Sequence, residues 1–120
     1  MLESALKRLF LAELPKMLPD LRLINRVVGN FEASGGPGQP NRSVNVGIKG
    51  LPDLHGWRRG GAAVEVELKA ATGRMRPEQE RFRAWCQQWG IQHYVLQARK
   101  DETPEQTVSR WIEEIRDVRA

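Results

Sequence analysis

Three residues in the middle of the chain have types and spacing suited to phosphate chemistry: Asp53 within Leu-Pro-Asp-Leu, and Glu67 and Lys69 within Val-Glu-Leu-Lys. Read as a strand, AAVEVELKA (62–70) directs Val64, Val66 and Leu68 to one face and Glu65, Glu67 and Lys69 to the other. A charged strand face is most often simply solvated. A three-residue turn at Arg59-Gly60-Gly61, however, would set Asp53 opposite Glu67 with Cα atoms roughly 4.5 to 5.5 Å apart. Facing carboxylates destabilise a sheet, and a divalent cation between them would relieve the repulsion. Mg²⁺ and Mn²⁺ prefer such hard oxygen ligands, polarise a phosphate and lower the pKa of a bound water. Lys69, two residues further along the same face, can meet that phosphate or help deprotonate the water.

The elements that must carry these residues are legible in outline. Leu2, Ala5, Leu6, Leu9, Phe10 and Leu14 recur at helical spacing, which predicts a helix over 2–14 ended by Pro15. Strands are expected over 21–28 and over 43–50, separated by a glycine-rich loop within 33–43 that serves as a flexible flap. The runs 51–57 and 62–70 form a hairpin around the double glycine. Pro77 opens a second helix whose apolar stripe is Phe82, Trp85, Cys86 and Trp89, with Gly90 beyond its end. A strand within 91–98 follows, and a helix between two strands implies a parallel crossover. Thr103, Pro104 and Gln106 begin a C-terminal helix over 103–118 with Val108, Trp111, Ile112, Ile115 and Val118 on its apolar face. Four extended runs precede the second helix, one more than in the expected order α-β-β-β-α-β-α, which describes one domain spanning 1–120, an α/β fold with a mixed central sheet flanked by helices.

The totals fit this reading. Nineteen Lys and Arg against fifteen Asp and Glu give a net charge of +4 and favour polyanionic partners. Residues 1–60 carry nine basic and five acidic side chains, whereas 61–120 carry ten of each, so the excess lies in and before the hairpin. Arg22, Arg26, Arg42, Lys49, Arg58, Arg59, Arg74, Arg76, Arg81 and Arg83 are expected around the charged face, where a phosphate backbone would find partners. Cys86 is the only cysteine, which excludes an internal disulfide and suits a reducing, cytoplasmic setting. Charges at Glu3, Lys7, Arg8 and Glu13 break the N-terminal apolar run too early for a signal core or a membrane span.

Pro52-Asp53 followed by Glu67-Leu68-Lys69 resembles the PD-(D/E)xK nuclease signature, and the element order is similar to that superfamily's restriction-endonuclease-like αβββαβ core with an extra C-terminal helix. The wider pattern of GLPDL, VELK, a glycine, Pro-Glu-Gln entering a helix, Trp-Gly and a strand resembles the virus-type replication-repair nuclease (VRR-NUC) family over residues 1 to about 98. The resemblance implies a Mg²⁺- or Mn²⁺-dependent deoxyribonuclease in which Asp53, Glu67 and the Leu68 carbonyl hold the ion and Lys69 serves the nucleophilic water. It further implies that Gln79 stands beside Lys69 and that Glu3 faces the site. Short stand-alone members suggest a homodimer acting on branched DNA such as four-way junctions, in phage or bacterial replication, repair or recombination. The chain departs from the family in having Asn25-Arg26 where Arg-Asn is usual and Arg76 where a cap residue often precedes the glutamine. Glu65 is additional to the motif, either supporting a ligand or only a surface acid.

His55 is a lesser candidate for DNA or metal contact, and His93 is expected to pack on its strand. Tryptophans 85, 89 and 111 are expected in core or dimer packing, with Trp111 and Ile115 as a dimer face, while Trp57 beside Arg58 and Arg59 is the aromatic suited to a DNA surface. Cys86 is expected to be buried and inert. Gly35 to Gly38 lacks the helix and lysine of a phosphate loop. The competing readings are a non-cleaving nucleic-acid-binding accessory module of the same fold, and a structural domain with no metal affinity.

Overall fold

Leu6, Phe10 and Leu14 fall on one side of a helix and give it a face that has to be buried. In the computed structural model, which describes residues 3–26, 35–40 and 49–116 together with the backbone of 29–33 and 42–46, this helix is α1 (Glu3–Met17). It runs through Pro15. A proline removes only its own N–H bond, and the Leu18 amide still donates to the Leu14 carbonyl at 2.7 Å, so the last turn survives with Leu14 anchored in the core.

The remaining elements are β1 (Leu21–Asn25), β2 (Gly29–Ala33), β3 (Arg42–Val46), β4 (Leu54–Arg58), β5 (Ala63–Lys69), α2 (Pro77–Trp89), β6 (Gln92–Gln97) and α3 (Pro104–Arg116). The main sheet is mixed and open, in the order β1-β4-β5-β6, with β5 and β6 parallel and the other pairs antiparallel. Its elements alone, with the helices, follow the expected α-β-β-β-α-β-α. Inserted between β1 and β4 is an antiparallel ribbon of β2 and β3. Ala33, Arg42 and Ser43 therefore belong to strands, with residues 35–40 in the connection between them; β2 escaped the sequence reading because Gly29 and Asn30 are poor strand formers. Residues 27–28, 47–48 and 117–118, which the expected strands and helix included, lie outside the described residues.

The hairpin register is the one expected. Arg58 and Ala62 close a three-residue turn, with the Arg58 amide donating to the Ala62 carbonyl, and Leu54, His55, Gly56 and Trp57 face Val66, Glu65, Val64 and Ala63. Gly60 and Gly61, at φ of 100° and 101°, supply two successive conformations that side-chain-bearing residues avoid. α2 ends as anticipated on Gly90. At the start of α3 the Gln106 amide donates to Thr103 Oγ1 and the Thr103 amide to Gln106 Oε1, a capping box.

The core lies on one face of the sheet. Val64, Val66, Leu68, Leu54 and Leu96 meet α1 and α3, whose Phe10 and Trp111 rings cross edge to face at 5.8 Å. Trp111 and Ile115 are completely buried there, so the stripe expected as a dimer face is the interior of one chain. Among the described residues α2 is the element over the opposite face, and it buries Cys86 alone. Trp85 and Trp89 are 45% and 70% exposed, contrary to the core expectation: they stack outward from Phe82 instead of inward. Among the described residues no helix is long and apolar enough to cross a membrane.

Candidate active site

The polar face of β5 and the start of β4 bring the expected chemistry together where the two strands part. Asp53 sits one residue before β4, fixed by its own carbonyl, which accepts from the Arg26 amide at 2.9 Å. Its side chain replaces the missing ladder partner of β5: Asp53 Oδ2 accepts from the Leu68 amide at 3.0 Å. A strand residue's N–H and C=O leave by the same edge, so the Leu68 carbonyl is turned toward Asp53 as well.

Glu67 is 4% exposed although it is a carboxylate. Burial, then the negative charge of Asp53 and a hydrogen bond shared with it, push its acid up to about 8; Glu3 adds to the effect and Lys69 opposes it. Asp53 and Glu3 thus lie within electrostatic reach of Glu67. Gln79, one turn into α2, ties the cluster together. Its Oε1 accepts from Lys69 Nζ and from the Arg76 amide, both at 2.9 Å, and its Nε2 donates to Glu67 Oε1 at 3.3 Å. Arg76 therefore caps through its backbone, which any residue can do, so no capping side chain is required there. Lys69 Nζ is 3.7 Å from Glu67 Oε1.

The second oxygen, Glu67 Oε2, is buried and, as a carboxylate oxygen, accepts no hydrogen bond from the described residues. A buried carboxylate oxygen without a donor is costly, and a cation beside it would remove the cost. Among the described residues no three Asp, Glu, His or Cys side chains converge in a metal cage. The donors available are two carboxylates and a main-chain carbonyl, a set that suits a hard ion keeping several waters.

Several expected contacts take other roles. Glu65 is a buried ion-pair partner and not a surface acid: its Oε1 accepts from Arg26 Nη2 at 2.9 Å in a pair only 13% and 15% exposed, beneath α2 and near Cys86, while its Oε2 has no partner among the described residues. Arg26 is thus held inside rather than offered to a phosphate. Arg58 points to the opposite face, where it donates to Gln92, Tyr94 and the Ile115 carbonyl. Arg59 is exposed at the far hairpin turn, paired with Asp20. Neither flanks the carboxylates, because the turn and the site are at opposite ends of β4. Arg74 and Arg76 do lie beside the site, on the exposed approach to α2, and Lys49 lies in the turn whose Gly50 abuts the Glu78 carbonyl. The Arg42 side chain is outside the described part of the structure.

His55 packs edge to face on Trp57, and His93 lies against Phe82, burial and Arg83 lowering its pKa to about 4. Trp57 is 47% exposed on the carboxylate face of β4. Sequence reasoning missed Lys100. The signal was the parallel pairing of Lys69 with Gln97, which brings the residues after β6 alongside those after β5. Comparison with protein-family models, curated proteins and solved structures finds no match.

Proposed function

We propose that this chain is a metal-dependent deoxyribonuclease of the PD-(D/E)xK type, with a restriction-endonuclease-like core of the VRR-NUC kind. The observation that carries the reading is the constellation of Asp53, Glu67, Lys69 and Gln79, in which the Leu68 amide holds Asp53, Gln79 links Lys69 to Glu67, and one carboxylate oxygen has no donor among the described residues. Asp53, Glu67 and the Leu68 carbonyl would hold Mg²⁺ or Mn²⁺. Once bound, the ion would neutralise charge on the phosphate and make a coordinated water easier to deprotonate.

The protein's own groups do the rest. Asp53 is aimed by the Leu68 amide, so the ligand geometry is set by the strand and not by a mobile side chain. Lys69 Nζ, steered by Gln79, is placed to hydrogen-bond the attacking water or a phosphate oxygen. Attack in line with the leaving oxygen forms one P–O bond and breaks another. Glu3, at the open end of α1, would orient water at the rim. The family resemblance extends the proposal to branched DNA, four-way junctions included, cut by a homodimer during replication, repair or recombination.

The test is cleavage of labelled four-way-junction, flap, single-stranded and linear duplex DNA in Mg²⁺ and Mn²⁺. Asp53→Asn keeps an acceptor for the Leu68 amide, and Lys69→Met keeps the side-chain length; each should lower the rate at least about 100-fold. Binding without cutting by the wild type would favour the accessory module, and cutting unaffected by both substitutions would refute the site.

A further inference from the structure

Beyond the reacting phosphate, the structure provides a second cationic hollow that shares Lys69 as a wall. A cleft of about 680 Å³ runs from Lys69 along the loop 70–76 to the residues following β6, and Thr72, Arg74, Gln97 and Lys100 line it. The charged residues of its lining are Lys69, Arg74 and Lys100 with one acid, Glu80. Resting on the nuclease reading above, we propose that this cleft binds the backbone phosphate adjacent to the scissile one, with Arg74 and Lys100 as its cationic contacts.

The cleft is built and not merely lined. Gln97 Nε2 donates to the carbonyls of Ala70 at 3.3 Å, Ala71 at 3.4 Å and Gly73 at 2.7 Å, and the Gly73 amide closes a turn on the Ala70 carbonyl at 2.9 Å. The Ala98 amide donates to the Lys69 carbonyl at 2.9 Å, joining both walls to the end of the sheet. The loop that carries Arg74 is therefore anchored to the strand preceding Lys100, and the backbone bearing the two cations is tied to that of Lys69. A strand whose phosphate reaches Lys69 Nζ has its next negative charge within the reach of these long side chains. Such contacts fix the register of the backbone without reading sequence. The subsite would thus set which bond meets the carboxylates.

Arg74→Ala, Lys100→Ala and the double variant test this, with Arg59→Ala as the control at the far turn. DNA binding is measured in EDTA across a salt series, and cleavage kinetics in Mg²⁺. The double variant should bind roughly tenfold more weakly, its salt slope falling by about 1, with kcat within about twofold of wild type and KM raised. Arg59→Ala should match wild type. A methylphosphonate walk along the substrate adds the positional readout. Neutralising one phosphate next to the cut should weaken wild-type binding and have no further effect in the double variant. An unchanged salt slope, or a methylphosphonate penalty that persists in the double variant, would overturn the subsite even if the wild type cuts. Should the wild type cut nothing while the slope still drops, the subsite stands and the nuclease reading falls.

Discussion

Replacing Glu67 by glutamine should stabilise the metal-free protein at alkaline pH. In the folded chain Glu67 holds its proton up to about pH 8, against 4.5 for an ordinary glutamate, because it is buried and faces Asp53. A carboxylate whose folded pKa is raised contributes stability below its unfolded pKa, and that contribution is lost as pH rises through the folded value. The useful window is pH 6.5 to 8.5. Below it, His93, whose folded pKa is lowered from 6.5 to about 4, makes stability fall as pH falls. Above pH 9, Cys86, raised by burial from 9.0 to about 11, adds a loss of its own.

Within the window, at about 1.4 kcal/mol per tenfold change in proton activity, releasing the Glu67 proton should cost the wild type about 2 kcal/mol. Glu67→Gln removes that dependence. Its amide oxygen can still accept from Gln79, and its amide nitrogen can donate to Asp53, satisfying the position occupied by the orphaned Oε2. Urea unfolding in EDTA at half-unit pH steps reads this directly. The wild type should lose about 2 kcal/mol from pH 6.5 to 8.5 while the variant stays level and is the more stable of the two at pH 8.5. A variant with the wild-type slope, or one less stable at pH 8.5, would refute the account of Glu67. Added Mg²⁺ or Mn²⁺ should restore the wild type at alkaline pH and leave Glu67→Gln nearly unaffected.

Trp111→Ala should cost about 3 to 5 kcal/mol and Trp89→Ala less than about 0.5, since the first ring is fully buried against Phe10 and the second is 70% exposed; urea midpoints would separate them. Arg26→Met and Glu65→Met should each cost about 2 to 3 kcal/mol by leaving a buried partner unpaired, whereas the double variant should fall within about 1 kcal/mol of wild type in a double-mutant cycle. Gly56→Ala should cost about 3 kcal/mol or more and deprotect the β1 amides to hydrogen exchange, because a Cβ there collides with the Arg22 carbonyl across the β1–β4 pair.

The strand alternation over 62–70 and the paired glycines at 60 and 61 are local signals. Together they specified the register that brings Asp53 and Glu67 together, since a period of two and a turn length leave no freedom once the core face is chosen. The helix ends at Pro77, Gly90 and Thr103 were legible for the same reason: caps and φ restrictions act within a few residues. Helical spacing, by contrast, states that Phe82, Trp85 and Trp89 share a side, but not whether another element covers it, and here none of the described elements does. Trp111 has the same spacing and is sealed by α1, a contact made across about a hundred residues of chain. Arg58 and Arg26 read as surface cations because their partners, the Ile115 carbonyl and Glu65, come from distant strands and helices. Residue types and short periods thus determined the sheet register and the acids at its parting strands. Which charges are buried, which aromatics face water, and that Lys100 lines the same cleft as Lys69 were decided only by packing, because burial depends on what the rest of the chain places above a surface.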